Sequence, residues 1–248
     1  MRVKIIILIL FIFANRSYVY GQSTDSVQVV DEVEEFKPEH LIVPATLITV
    51  GALGLTEYGY KDATRSFRQD IAELRGDNYF HIDDYFQYLP AAAYLGLDYI
   101  GAPARHSFTD RVLVLATSWL SLGAIVNTAK YAIKSQRPDS RALNSFPSGH
   151  TSTAFMGAEL VRSEYGIGCG IGAYAVACGI GFMRLWNDRH WFNDVIAGAG
   201  VGILCARIGY WMLPVWKRWF NLDDSKTAIA IAPYYNNNTF GASMAMVF

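Results

Sequence analysis

Three long stretches without internal charge constrain this chain more than any other feature. Val112 to Ala129 lies uncharged between Arg111 and Lys130, Tyr165 to Met183 between Glu164 and Arg184, and Val195 to Trp216 carries only Arg207. Runs of about 20 apolar residues suffice to cross a bilayer as helices, with every backbone polar group satisfied inside the segment. A fourth stretch, Thr151 to Val161, is apolar apart from Glu159. The four are expected to pack as helices, so the predicted fold class is all-α, a multi-helix transmembrane bundle. Composition agrees: 52% of residues are hydrophobic against 17% charged. A net charge of -1 leaves no basic footprint for a nucleic acid. Gly166, Gly168, Gly170, Gly172, Gly198, Gly200 and Gly202 are expected to let membrane helices approach closely.

The flanks are different in character. Arg2 and Lys4, the apolar stretch Ile5 to Ala14 and the small-residue site ending at Gly21 read as a signal peptide over residues 1–21. Residues 22–40 form an exported acidic lead-in, with Asp25, Asp31, Glu32, Glu34, Glu35 and Glu39 against Lys37. The membrane helical domain is expected at 41–216. Within it, Leu41 to Thr56 spans only if its flanks extend it, and Pro90 to Leu97 is cut short by Asp98. The polar stretch Glu57 to Gln87 reads as an interfacial or extramembrane helix. The tail, 217–248, alternates Ile229, Ile231, Phe240, Met244 and Met246 with small residues around Asn236 to Asn238, which predicts a short β-hairpin. Cys169, Cys178 and Cys205 sit inside apolar runs and read as small buried hydrophobes.

Three blocks at the ends of the apolar runs carry chemistry. In the first, Lys130 and Arg137 stand seven apart, two helical turns, and so are expected on one helix face, with Pro138 turning the chain away. In the second, Phe146-Pro147-Ser148-Gly149-His150, Ser148 is an N-cap and Gly149 allows close backbone approach. Free N–H groups at that helix start make a phosphate seat. In the third, His190 and Asp194 are spaced i, i+4 and share a face if a helix begins near His190, so the carboxylate can orient the imidazole. Arg184 adds a third cation. A phosphoryl group spreads negative charge over its oxygens, and its transfer needs fixed cations, a nucleophile and a proton donor. These blocks contain all three. Snorkelling cations, a plain helix start and a surface His–Asp pair would each account for one block alone.

Together the blocks resemble the three-part signature of the type 2 phosphatidic acid phosphatase superfamily, spanning 130–194. The signature reads Lys, six residues, Arg-Pro; then Pro-Ser-Gly-His; then Ser-Arg, five residues, His, three residues, Asp. Lys130, Arg137, Pro138, Pro147, Ser148, Gly149, His150, Arg184, His190 and Asp194 match in order, and Met183 departs where the family has Ser. The resemblance implies a histidine phosphatase site at the helix ends. His190 would be the nucleophile, Asp194 its orienting acid and His150 the general acid. Lys130, Arg137, Ser148, Gly149 and Arg184 would hold the phosphate, with no metal and no cofactor. Soluble acid phosphatases and vanadate-dependent haloperoxidases carry the same signature, but neither needs the long uncharged runs.

A site at helix ends lies at head-group level, so the expected partners are a lipid phosphate and the membrane, with no obligate protein partner evident. Lipid A or undecaprenyl diphosphate is the favoured substrate. Phosphatidic acid and phosphatidylglycerol phosphate are the alternatives, and a non-catalytic lipid-phosphate binder or transporter is the rival class. The export signal points to the inner membrane of a Gram-negative bacterium. Lys217 and Arg218, past the last run, favour a cytoplasmic end there and hence a periplasmic site. That orientation requires one early segment, the one interrupted by Asp98, not to cross.

Overall fold

The computed structural model describes residues 36–56, 61–220, 228–236 and 239–247. The expected signal peptide, the lead-in as far as residue 35 and the Asn237-Asn238 turn lie outside the described residues. Helix α1 is Ile42–Leu53, α2 Lys61–Arg75, α3 Asp83–Phe86, α4 Leu89–Gly96, α5 Phe108–Ile133, α6 Gly149–Trp186 and α7 Phe192–Phe220. Strands β1, Ala228–Asn236, and β2, Thr239–Val247, pair antiparallel with Asn236 opposite Thr239.

Helices α5, α6 and α7 are long and apolar enough to cross a membrane. Their outward faces are apolar as well: Leu120 is 75% exposed and Ile167 70%. That pattern suits hydrocarbon rather than water. The 12 residues of α1 and the eight of α4, followed by a 3-10 turn at Leu97–Ile100, fall short of a full span.

Helix α6 is not one straight rod. Its backbone breaks at Gly166, where φ is 84° and ψ -177°, a conformation open to glycine and strained for other residues. Beyond the break the chain doubles back, so residues 149–165 and 167–186 are antiparallel arms. A Cβ on Gly170 would lie 2.7 Å from Arg162 Cβ. Tyr174 donates to Glu159 at 2.7 Å, and Ala154 and Ala158 pack on Ala177 and Ile180. In a continuous helix residues 159 and 174 would stand about 22 Å apart. The four helices expected from the sequence are therefore present, with the reversal at Gly166 and not among the charged residues before it.

Close packing is concentrated on α7 and not shared by all the glycines expected to provide it. A Cβ at Gly198 would meet Ser148 O at 2.7 Å, and one at Gly200 would meet Pro44 O at 2.8 Å. Gly168 and Gly172 face open space. The main apolar core joins α4, α5, the first arm of α6 and α7 through Tyr94, Val126, Met156, Leu160, Val201 and Cys205. Cys205 is buried, whereas Cys178 is exposed, contrary to the expectation for all three cysteines.

Because the arms of α6 reverse, the end of α5, the start of α6, the end of its second arm and the start of α7 all meet at one end of the bundle. The sequence places Lys130, His150, Arg184 and Asp194 at those four points.

Candidate active site

The first block departs from its predicted geometry. Helix α5 stops at Ile133, because Lys134 adopts a left-handed conformation (φ 51°, ψ 41°) as its C-cap. Arg137 thus lies in a loop, and the shared helix face with Lys130 does not form. The loop's backbone bonds run instead from Arg137 N to Ala142 O at 3.0 Å and from Ser145 N to Ser135 O at 2.9 Å. They bring the two cations together by another route. Lys130 Nζ donates to Asn144 O and Arg137 Nε to Asn144 Oδ1, each at 2.8 Å. Neither cation is ion-paired among the described residues.

The second block forms as read. Ser148, fully buried, caps α6 by accepting from Thr151 N, and its own N–H donates to Asp194 O at 3.0 Å. Gly149 and His150 open the helix. His150 Nε2 lies 3.0 Å from Asp84 Oδ1.

In the third block helix α7 begins at Phe192, two residues later than the His190 start considered from the sequence. His190 precedes the helix, yet its Nδ1 still lies 3.5 Å from Asp194 Oδ2. Asp194 at the third helical position accepts from the N–H of Trp191, the residue before the helix, at 3.0 Å. This is half of a capping box, with the carboxylate in the favourable field of the helix start. Ser145 joins the pair: its hydroxyl donates to Asp194 Oδ2 at 2.5 Å and sits 3.4 Å from His190 Nδ1. His190 is 3% exposed. Burial lowers its pKa to about 4, against the opposing pull of Asp194, and the nearby Arg137 and Arg184 lower it further. Burial thus favours the neutral imidazole, the form that a nucleophilic role would require.

Arg184, 4% exposed, donates through Nη1 to Asp83 Oδ2 and to Asp84 Oδ1, the latter at 3.2 Å. Its Nε is a buried donor with no partner among the described residues. Burial works against the Asp84 charge, but His150 and Arg184 outweigh it and hold the pKa below the usual carboxylate range.

Asp83, Asp84, Asn144 and Ser145 escaped the sequence reading. The two aspartates reach the site because the segment before them is stitched to the second arm of α6. Arg75 donates to Trp186 O at 2.9 Å, Trp186 to Asn78 O at 2.8 Å, and Phe80 N to Asn187 Oδ1 at 3.1 Å. Arg68 makes a two-pronged pair with Asp188 at 2.6 and 2.7 Å. No spacing pattern announces partners a hundred residues apart. Ser145, three residues before Ser148, was the nearest to being legible.

An open cavity of about 510 Å³ lies beside Arg137, lined also by Arg65, Gln136, Trp191 and Asn193. The site thus offers two cations held by neutral oxygens, a third with a spare donor, a helix start, and two histidines each facing a carboxylate.

Residues 111–218 match the family model described as the PAP2 superfamily. A lipid A 1-phosphatase of Porphyromonas gingivalis is 41% identical over 151 residues, which cover 58% of this chain and 34% of that protein. The chain thus spans about a third of the length of that relative. Two crystal structures are also similar. LpxE of Aquifex aeolicus has 22% identity and a TM-score of 0.44, over 57% of this chain and 92% of that one. A transmembrane PAP2-type phosphatidylglycerolphosphate phosphatase of Bacillus subtilis has 18% identity and a TM-score of 0.47, over 71% of this chain and 96% of that one. Residues 111–218, the segment similar to the PAP2 superfamily, hold every site residue of the three blocks.

Proposed function

We propose that this chain is a membrane phosphatase that hydrolyses a phosphate carried on a lipid through a phosphohistidine intermediate. The observation that carries the reading is the convergence at one bundle end of His150, His190 and Asp194 with Lys130, Arg137 and Arg184. Lys130, Arg137, the Nε of Arg184 and the helix start at Ser148 and Gly149 hold the phosphate oxygens. Asp194 and Ser145 fix the Nδ1 side of His190, leaving Nε2 to attack phosphorus. As the P–N bond forms, the bond from phosphorus to the lipid oxygen breaks, and protonated His150 gives that oxygen its proton. His150, now neutral, takes a proton from water; the hydroxide attacks phosphorus, the P–N bond breaks, and inorganic phosphate leaves.

Lipid A is the favoured substrate. The 41% identical relative is a lipid A 1-phosphatase, and a site at the ends of membrane-length helices lies at head-group level. Undecaprenyl diphosphate is the next choice, and phosphatidic acid and phosphatidylglycerol phosphate follow. An inner-membrane location in a Gram-negative bacterium goes with this reading, and Lys217 and Arg218, which close α7 at the end opposite the site, support a site facing the periplasm. A non-catalytic binder would need the cations but neither histidine.

Release of inorganic phosphate from lipid A in detergent tests the reading. His190→Ala should abolish release while the protein inserts and folds, and rapid acid quench of the wild type should trap phosphate on His190. Retention of more than a small fraction of activity by the variant overturns the covalent step.

A further inference from the structure

The phosphate seat already holds a negatively charged oxygen. A single atom, Asp84 Oδ1, lies 3.0 Å from His150 Nε2 and 3.2 Å from Arg184 Nη1. These are the proton donor and one of the phosphate-binding cations of the proposed reaction. Asp83 differs from its neighbour: it is 1% exposed and tied to both Arg184 and Asn187, as a structural acid is. The side chain of Asp84 is 49% exposed, and it sits on a helix of four residues. His190 is buried, so a phosphate reaches it only if something at the rim moves. Asp84 is a charged rim group that touches two members of the site and is exposed enough to swing away.

We infer that Asp84 is a resident carboxylate ligand of the seat, displaced by the incoming phosphate, so that every phosphate entering the seat competes with it. The inference rests on the phosphatase reading. Displacement costs free energy, which a substrate offsets through the cations that hold its phosphate and through contacts remote from it. The segment carrying Asp84 supplies such contacts, because Tyr79, Phe80, Ile82, Tyr85, Phe86 and Leu89 expose apolar surface around it. Aromatic residues at the end of a membrane bundle suit the lipid interface. A lipid substrate meets that surface as its phosphate arrives, whereas free phosphate brings no such contact.

The test compares Asp84→Asn and Asp84→Ala with the wild type in detergent micelles, using orthovanadate, a water-soluble aryl phosphate and lipid A. Loss of the resident charge should tighten orthovanadate inhibition and lower KM for the aryl phosphate by about fivefold, the scale of a half-exposed ion pair. KM for lipid A should fall by a similar factor, and Asp84→Glu, which keeps a carboxylate, should retain the wild-type KM and inhibition. Unchanged or weaker inhibition together with a lower kcat would overturn the inference and make Asp84 a partner of the acid His150. A lower KM for the aryl phosphate with no change for lipid A would also overturn it, because displacement is common to both substrates. Failure of the phosphatase reading has a different signature: a wild type that releases no phosphate from any substrate and binds no orthovanadate, with which the inference also falls.

Discussion

The two ends of this bundle both bury charge, and they do so in different ways. At the end away from the site, the buried acids Glu159 and Glu164 meet their complements. Glu159 accepts from Arg162 twice at 2.7 Å, from Tyr174 at 2.7 Å, and from Arg207. Glu164 accepts from His106 N at 2.6 Å, and from Tyr210 at 2.8 Å. Arg111 is gripped by Asp98, the carbonyls of Tyr94 and Leu95, and the Tyr165 hydroxyl. At the site end, Lys130 and Arg137 rest on the two oxygens of one neutral residue, Asn144. A saturated buried ion pair holds structure, because removing one partner strands the other in a low dielectric. Cations met only by amide oxygens keep their attraction for an anion that arrives later. The site end has a buried ion pair of its own, Arg184 with Asp83, and adds to it two cations without a carboxylate partner among the described residues.

The contrast is broken most severely by removing one charge from each end. Glu159→Gln leaves Arg162 and Arg207 without their shared carboxylate, and should cost about 3–5 kcal/mol of stability. The measurement is the thermal midpoint in detergent, with KM of the protein that remains folded near the wild-type value. Lys130→Met should do the reverse, lowering kcat/KM by about 10²–10³-fold while the midpoint stays or rises. If Lys130→Met unfolds the protein, or Glu159→Gln disables catalysis in a stable protein, the contrast fails.

A second test uses pH and belongs to the site end. The pKa of His190 is lowered from 6.5 to about 4 in the folded chain. An unfolded chain therefore binds the proton at higher pH than the native one. The stability conferred by the neutral imidazole is complete above pH 6.5 and is lost as pH falls through about 4. The loss amounts to roughly 3 kcal/mol if fully realised. Thermal midpoints measured from pH 7.5 to 4.5 should fall more steeply for the wild type than for His190→Gln. Parallel curves would mean that His190 is not held neutral by its burial.

The two ends were also unequally legible in the sequence. Lengths and uncharged runs announced the long helices, and Ser148 before an apolar segment announced the start of α6, because both signals are local. The reversal at Gly166 was not legible: the sequence shows two apolar runs, 151–161 and 165–183, without the point at which the chain turns. Arg162 and Glu164 stay helical and find partners in Glu159 and His106. The residue types of the site were legible as three blocks, but their geometry was not. Lys130 and Arg137 do not share a helix face, and His190 stands before α7, since a loop closed by Ser135, Ala142 and Ser145 sets their positions. Asp83 and Asp84 carried no signal at all. Their partners lie on an arm of α6 that only the folded chain brings near.

The smallest expected effect sharpens the comparison most, because it makes the same chemical edit at both ends. Ser145 donates its hydroxyl to Asp194, and Tyr174 donates its hydroxyl to Glu159. Each removal takes one neutral donor from a buried carboxylate that keeps other partners: Trp191 N and Asn193 Nδ2 for Asp194, and two arginines for Glu159. Such a bond contributes about 1–2 kcal/mol. Ser145→Ala should spend that loss on orientation of His190, since Asp194 holds Nδ1 at 3.5 Å and the Ser145 hydroxyl lies between them in reach of both. The expected result is a kcat lower by about tenfold, with KM unchanged because the cations and the helix start are untouched. Tyr174→Phe should instead lower the thermal midpoint by a few degrees and leave kcat alone. A fall in kcat from Tyr174→Phe as large as that from Ser145→Ala would show the two carboxylates to be one coupled system, and the contrast between the two ends would be wrong.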